Sequence, residues 1–321
     1  ASRDGTVRLW DAVDADPPAA PIGPGALNAV AVAPDGTWLA TAGDDAKVRL
    51  WDAGSGVQRT VLTGHRYPVS AVAVAPDGTW LASGGMGGEI WTWDAAAGAQ
   101  RTKVAGHQHP VTDVAVSPDG RCLAVASNDG PVALRAAGTG RKRAKQPAKG
   151  EPQASSVAFA PDGSWLAAIT LGGKAVRILD AGTGELRLEL VPPSGRMRSV
   201  AVAPDGSRLA VGNAAGSVWI WASQGGEPLA ELAGHAGEVT GVAFAPHSGE
   251  LATVGTDGSL RIWDLRAGAP IAMTRVAGPL RGCAWFPDGG GLALAGSGGL
   301  YLMDYRGPAG LHTGVEPLSA G

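Results

Sequence analysis

The bulky apolar residues of this chain come in pairs split by one small residue. The pairs are Val30/Val32, Val72/Val74, Val114/Val116, Val157/Phe159, Val200/Val202, Val242/Phe244 and Cys283/Trp285, and the intervening residue is Ala in every one. A two-residue period means a β-strand, because successive side chains leave opposite faces. Here one face is bulky, the other is small, and both are largely apolar. That predicts a strand buried on both sides, as in a sheet sandwiched between two neighbouring sheets.

A proline follows each pair. At Pro34, Pro76, Pro118, Pro161, Pro204 and Pro287 it opens the tripeptide Pro-Asp-Gly, and Pro246-His247-Ser248-Gly249 is a degenerate copy. Pro presets φ, Asp tolerates the turn and Gly supplies positive φ, so each is a tight turn. Five residues after each proline stands a Leu followed by Ala: Leu39, Leu81, Leu123, Leu166, Leu209, Leu251 and Leu292. This is a second strand. A Gly/Asp-rich turn and a third strand follow, as at residues 48–52 and 260–264, then a more polar fourth strand, as at 58–62. A polar outermost strand protects an open sheet edge.

The intervals between successive turn prolines are 42, 42, 43, 43, 42 and 41 residues. That period fits one four-stranded propeller blade per repeat. The fold expected is all-β: a seven-bladed β-propeller of four-stranded antiparallel blades, forming one domain over residues 1–321. Its three inner strands per blade are expected at 27–52, 69–94, 111–136, 154–180, 197–222, 239–264 and 280–305. Residues 1–25 carry Asp4, Trp10 and Asp11 and read as a partial repeat or as closing strands; 306–321 read as the last outer strand or a tail. An Ala-rich helical protein is the alternative, but Gly or Pro interrupts every few residues and no 3.6-residue period exists.

Composition narrows the function classes. The 50 Gly and 23 Pro recur at fixed intervals and so belong to turns rather than to disorder. A formal net charge of −3 gives no support for a strongly basic nucleic-acid binder. Two cysteines, Cys122 and Cys283, cannot staple a chain of this size, which points to a reducing, cytoplasmic setting. No apolar run is long enough to span a membrane, and no signal peptide is visible. The chain opens on Ala1 in mid-repeat, as a piece of a longer protein would.

The dipeptides Trp10-Asp11, Trp51-Asp52, Trp93-Asp94 and Trp263-Asp264 close the third strands, with weakened copies at Leu179-Asp180, Trp221-Ala222 and Met303-Asp304, and Leu134-Arg135 where both residues are lost. Gly64-His65, Gly106-His107 and Gly234-His235 each place a His eleven residues before a turn proline. In these features the chain resembles the WD-repeat family over essentially its whole length. The resemblance implies a closed propeller that scaffolds protein assembly and has no activity of its own. The Ala/Gly/Pro-heavy style further resembles WD repeats of high-GC bacterial signalling proteins, where such propellers sit behind an NTPase or kinase domain.

In that family His235, Thr253, Asp257 and Trp263 form a structural hydrogen-bond chain that ties the loop before the first strand to the second and third strands. The set imitates a catalytic triad, but no oxyanion-hole motif accompanies it. Elsewhere the chain is incomplete: His65, Ser83 and Trp93 have Gly87 in place of Asp; His107 and Asp129 have Val125 and Arg135; Thr41, Asp45 and Trp51 have Gly23 in place of His. The six His are scattered, the Cys lie far apart and no phosphate-binding glycine loop precedes a helix, so no catalytic residue, metal ligand or cofactor is assigned. Met86, Trp91 and Trp219 read as packing residues. Arg141-Lys142-Arg143 with Lys145 and Lys149 read as a solvated outer edge rather than a nucleic-acid contact.

The function expected is a protein-interaction scaffold or sensor module. A propeller enzyme acting at the central channel, and a module recognising an anionic ligand or nucleic acid, are the alternatives. Recognition residues usually sit on loops held by a rigid scaffold. The resemblance places them at the entry to each first strand and before each Asp of the second turn: Asn28, Asp44, Ser70, Met86, Thr112, Asn128, Gln153, Ser155, Arg196, Arg198, Glu238, Thr240, Thr256 and Arg281. Arginine pairs bidentately with carboxylates. Arg196, Arg198 and Arg281 therefore point to a protein partner with an acidic contact segment.

Overall fold

The computed structural model describes residues 20–23, 25–104, 107–143, 152–247, 249–307 and 311–313. Each proline turn joins two antiparallel strands, and the blades follow one another in chain order. Blade 1 is β1 (Leu27–Val32), β2 (Trp38–Gly43), β3 (Lys47–Asp52) and β4 (Gln58–Thr63). Blade 2 is β5 (Val69–Val74), β6 (Trp80–Gly85), β7 (Ile90–Asp94) and β8 (Gln100–Val104). Blade 3 is β9 (Val111–Val116), β10 (Cys122–Ser127) and β11 (Gly130–Ala136). Blade 4 is β12 (Ala154–Phe159), β13 (Trp165–Thr170), β14 (Val176–Asp180) and β15 (Leu186–Leu190). Blade 5 is β16 (Met197–Val202), β17 (Arg208–Asn213), β18 (Ser217–Ala222) and β19 (Pro228–Ala233). Blade 6 is β20 (Val239–Phe244), β21 (Glu250–Gly255), β22 (Ser259–Asp264) and β23 (Ala269–Arg275). Blade 7 is β24 (Leu280–Trp285), β25 (Gly291–Gly296), β26 (Gly299–Tyr305) and β27 (Leu311–Thr313).

The first strands β1, β5, β9, β12, β16, β20 and β24 each contact the next, and β24 contacts β1, so the seven blades close into a ring. The seven-bladed, all-β architecture expected from the turn spacing is the one observed. The apolar core is divided among the blade interfaces: each of seven clusters draws its residues from two adjacent blades. The Leu after each proline turn is 0 % exposed in all seven blades. The Ala face of one sheet is what lets the bulky face of the next approach. Positive φ at the turn glycine is real: Gly36 has φ 70° and Gly206 has φ 71°.

In blade 3 the described part of the outer row is Arg141–Arg143, paired through Ala136 N–H to Arg141 O at 2.8 Å and Arg143 N–H to Leu134 O at 3.0 Å.

Blade 7 is completed from both directions along the chain. β27 pairs with the end of β26, from Met303 to Tyr305. At the other end of β26, Ile22 N–H donates to Leu300 O at 2.7 Å and Leu300 N–H to Ile22 O at 3.0 Å. Asp4, Trp10 and Asp11 lie outside the described residues.

Candidate functional site at the loop face

In blade 6 the loop before β20 is fastened by His235. Its Nε2 lies 2.8 Å from Thr253 Oγ1, which also accepts the Trp263 indole N–H at 2.8 Å. Its Nδ1 faces the Asp257 carboxylate at 3.2 and 3.3 Å and Ser259 Oγ at 2.9 Å. One proton arrangement satisfies the group: Nδ1–H donates to Asp257, and Thr253 O–H donates to Nε2. Burial lowers the His235 pKa and outweighs Asp257, which favours this neutral form. Burial alone would raise the Asp257 pKa. The Ser259 and Ala236 N–H groups, the Ser259 hydroxyl and His235 together hold it well below the usual carboxylate range. Such a network is a rigid clasp, because each buried polar member has a partner. Ser259 was invisible to pattern reading, since it carries no signature beyond its place two residues after the Asp.

In six of the seven blades the residue six positions before the turn proline proves to be a blade-to-blade staple. Asn28 Nδ2 donates to Val69 O at 2.9 Å, Ser70 Oγ to Val111 O at 2.5 Å, Thr112 Oγ1 to Ala154 O at 3.3 Å and Thr240 Oγ1 to Leu280 O at 2.7 Å. Ser155 instead donates within its own blade, to Ile169 O at 3.4 Å. Arg198 pairs with Glu238 at 2.9 Å across blades 5 and 6. Arg281 pairs with Asp44 at 3.2 Å and donates to Asn28 across blades 7 and 1. Two of the three arginines that motivate an acidic partner thus already face a carboxylate of this chain. Thr256 Oγ1 accepts the Glu238 N–H at 2.9 Å. Gln153 and Asn128 are half-buried, and Asn128 Oδ1 has no hydrogen-bond partner. Arg196 is exposed.

Two exposed apolar side chains adjoin on this loop face in blade 2, and Leu171 and Val191 are exposed on the corresponding loops of blade 4. Tyr67 is 57 % exposed and Met86 46 %. They are held together: Met86 N–H donates to Pro68 O at 2.8 Å, and the Tyr67 ring lies over Gly87, where a Cβ would meet its Cδ2 at 2.5 Å. Tyr67 was missed in the sequence. Its only signal is a large aromatic two residues after the loop His, where the corresponding residues are His109 and Gly237.

The model of the family described as WD domain, G-beta repeat matches residues 21–52, 56–94, 98–130 and 226–264. Together with seven blades in a ring, four matches of this repeat decide the family. The chain is a WD-repeat β-propeller. No curated protein matches it significantly. WD-repeat propellers are commonly protein-interaction scaffolds, and no helix among the described residues is long and apolar enough to cross a membrane.

The matched WD repeats include ones whose hydrogen-bond chain is incomplete, and the structure shows what compensates. In blade 1 the Trp51 ring crowds Gly23, where a Cβ would lie 2.5 Å from its Cη2. No imidazole fits there. Buried Arg49 takes over Asp45, with Nη1 at 3.1 Å and Nη2 at 2.5 Å, and Trp51 still donates to Thr41 at 2.8 Å. In blade 2 His65 Nε2 contacts Ser83 Oγ at 2.7 Å, while its Nδ1 and the buried Glu89 Oε2 are left without hydrogen-bond partners; burial lowers the His65 pKa. In blade 3 His107 Nδ1 contacts Asp129 at 2.7 Å and Ser127 at 3.0 Å, while its Nε2 is left without a partner. In blade 5 Val211 stands in the Thr place, and the buried Trp221 indole N–H is orphaned.

A second buried polar group came from no motif. Asp113 on β9 occupies a position that is Ala, Ser or Gly in the other six WD repeats. Its Oδ2 accepts Ser156 Oγ at 2.8 Å and Val157 N–H at 2.9 Å, which sews blade 3 to blade 4. Its Oδ1 accepts the Val114 N–H at 2.8 Å. Burial pushes this carboxyl up to about 6 despite those donors.

Proposed function

We propose that this chain is a protein–protein interaction module whose partner docks on the loop face, centred on Tyr67 and Met86 of blade 2, with Arg196 as a second contact. The observation that carries the reading is the pairing of two exposed apolar side chains on loops tied down by the His65–Ser83 contact, the Met86-to-Pro68 hydrogen bond and the Ser70 staple. Aromatic residues and Met are enriched at interfaces, and preorganised loops lose little entropy on binding. The staple residues act as the frame of this surface rather than as its contacts. The same reading places the module in a cytoplasmic, bacterial signalling chain, behind an NTPase or kinase domain, without catalytic activity of its own.

The test is site-specific photocrosslinking in the source cell, with the reactive group at Met86 in one variant and at Leu229, exposed on the outer strand of blade 5, in another. A partner captured from Met86 and not from Leu229 is the expected result. The double substitution Tyr67→Ser with Met86→Ser should then weaken binding of that partner by tenfold or more, about 1.4 kcal/mol, with unchanged circular dichroism. Equal capture from both sites, or unchanged affinity in the double variant, would remove this face.

A further inference from the structure

A cavity of about 300 Å³ lies between blades 2 and 3, lined by Trp80, Thr92, Arg101, Thr102, Gly120, Ala137 and Gly138. Its Trp80, Arg101, Gly120, Ala137 and Gly138 lie toward the opposite ends of the strands from the Tyr67 and Met86 loops. Its origin is a displaced turn. Between blades 1 and 2, Gly98 lies against Thr60, where a Cβ would sit 2.7 Å from the methyl group. The corresponding Gly140 of blade 3 lies against Val104 instead, with a Cβ 3.1 Å from its Cα. Thr102, the counterpart of Thr60, is therefore left to line an opening.

The internal repeat gives a control for the charge in this cavity. Arg59, Arg101 and Arg187 are each the second residue of an outer strand, β4, β8 and β15. Arg59 is bound to Asp52 at 2.6 Å and to Thr37 O at 2.8 Å. Arg187 is bound to Asp180 at 2.5 Å and to Ser164 O at 3.0 Å. Arg101 makes neither bond. Its guanidinium carbon stands 6.0 Å from the centroid of the Trp80 ring, and the counterpart Asp94 caps only its own turn, through Ala96 and Ala97 N–H.

We propose that this cavity is a binding site for an oxyanion, carboxylate or phosphate, carried on a small planar apolar body. Arg101 grips the oxyanion with its free N–H edge, an arrangement that suits both acceptors. Packing near the indole limits the conformations of the guanidinium and strengthens its hold on position. Trp80 and the small wall of Gly120, Ala137 and Gly138 receive the apolar body. The volume is at the lower end of what encloses a small ligand.

Isothermal titration with benzoate, phenyl phosphate and neutral benzamide tests this on the intact chain. The expected result is saturable binding of benzoate, phenyl phosphate or both, and none of benzamide; which anion binds names the acceptor. Arg101→Gln should weaken that binding about tenfold or more, as expected for losing a charged hydrogen bond. Arg59→Gln, the control in which the arginine is already paired, should leave it unchanged. A Cβ at Gly138 meets no heavy atom within 4 Å, so Gly138→Leu is accommodated and should block the cavity with Arg101 intact. No saturable binding of either anion, benzamide binding as well as the anions, or equal weakening by Arg59→Gln would each overturn the proposal.

Discussion

His235 holds a hydroxyl on one side and a carboxylate on the other, and removing it strands both. His107 reaches Asp129 and Ser127, but its own Nε2 already lacks a partner. An unsatisfied buried polar group costs about 1–3 kcal/mol. His235→Ala should therefore destabilise the protein by about 2 kcal/mol and by more than His107→Ala, as read from urea denaturation of both variants; equal losses would contradict the clasp. Asp113 gives a prediction with the opposite pH sense from the histidines. Its folded pKa of about 6 lies above the ordinary 3.8, so its stabilising share is full below about pH 4 and lost as pH rises through 6. Compared with Asp113→Asn, the wild type should lose about 1 kcal/mol between pH 5 and 7.5. A constant difference across that range would show that the carboxyl titrates normally. Much of this chemistry was unreadable in the sequence. The Arg49–Asp45 pair replaces a histidine that pattern reading could only record as missing. Asp113 finds its partners in Ser156 and Val157, in the next blade.

At the scale of elements, the strands were legible because their signals are local: alternation within six residues and a turn tripeptide between them. The loop-face ring was not. The pattern places Asn28, Ser70, Thr112 and Thr240 at strand entries, yet their hydrogen bonds run to the next blade, about forty residues away, and only the assembled ring reveals them as staples. Arg141, Lys142 and Arg143 are exposed on the outer row of blade 3, and Lys145 and Lys149 lie outside the described residues. Replacing Arg141, Lys142 and Arg143 together by Ser should change the urea midpoint by less than about 0.5 kcal/mol in free energy. It should also leave DNA affinity undetectable at low salt, as in the wild type. A salt-sensitive affinity that vanishes in the variant would make this edge a nucleic-acid contact.

The whole molecule depends on one seam. Two backbone hydrogen bonds between Ile22 and Leu300, with the Leu27, Leu39, Trp51, Leu300 and Leu302 cluster behind them, join blade 7 to blade 1. Ile22→Pro removes the shorter bond and should cost about 1–3 kcal/mol. Hydrogen exchange should then quicken at Leu300 before it does in blade 6; unaltered exchange there would show that the seam is held by other contacts. The seam also sets a clock on biosynthesis. Ile22 precedes its partner Leu300 by 278 residues, the difference of their numbers. At roughly 5–20 residues per second, a ribosome needs about 14–56 s to cover that distance. Blades can stack on one another as they emerge, but the first blade waits through that interval with a naked flank. The apolar side chains of that flank, Leu39 and Trp51 among them, are the part of the nascent chain that a chaperone has most reason to cover.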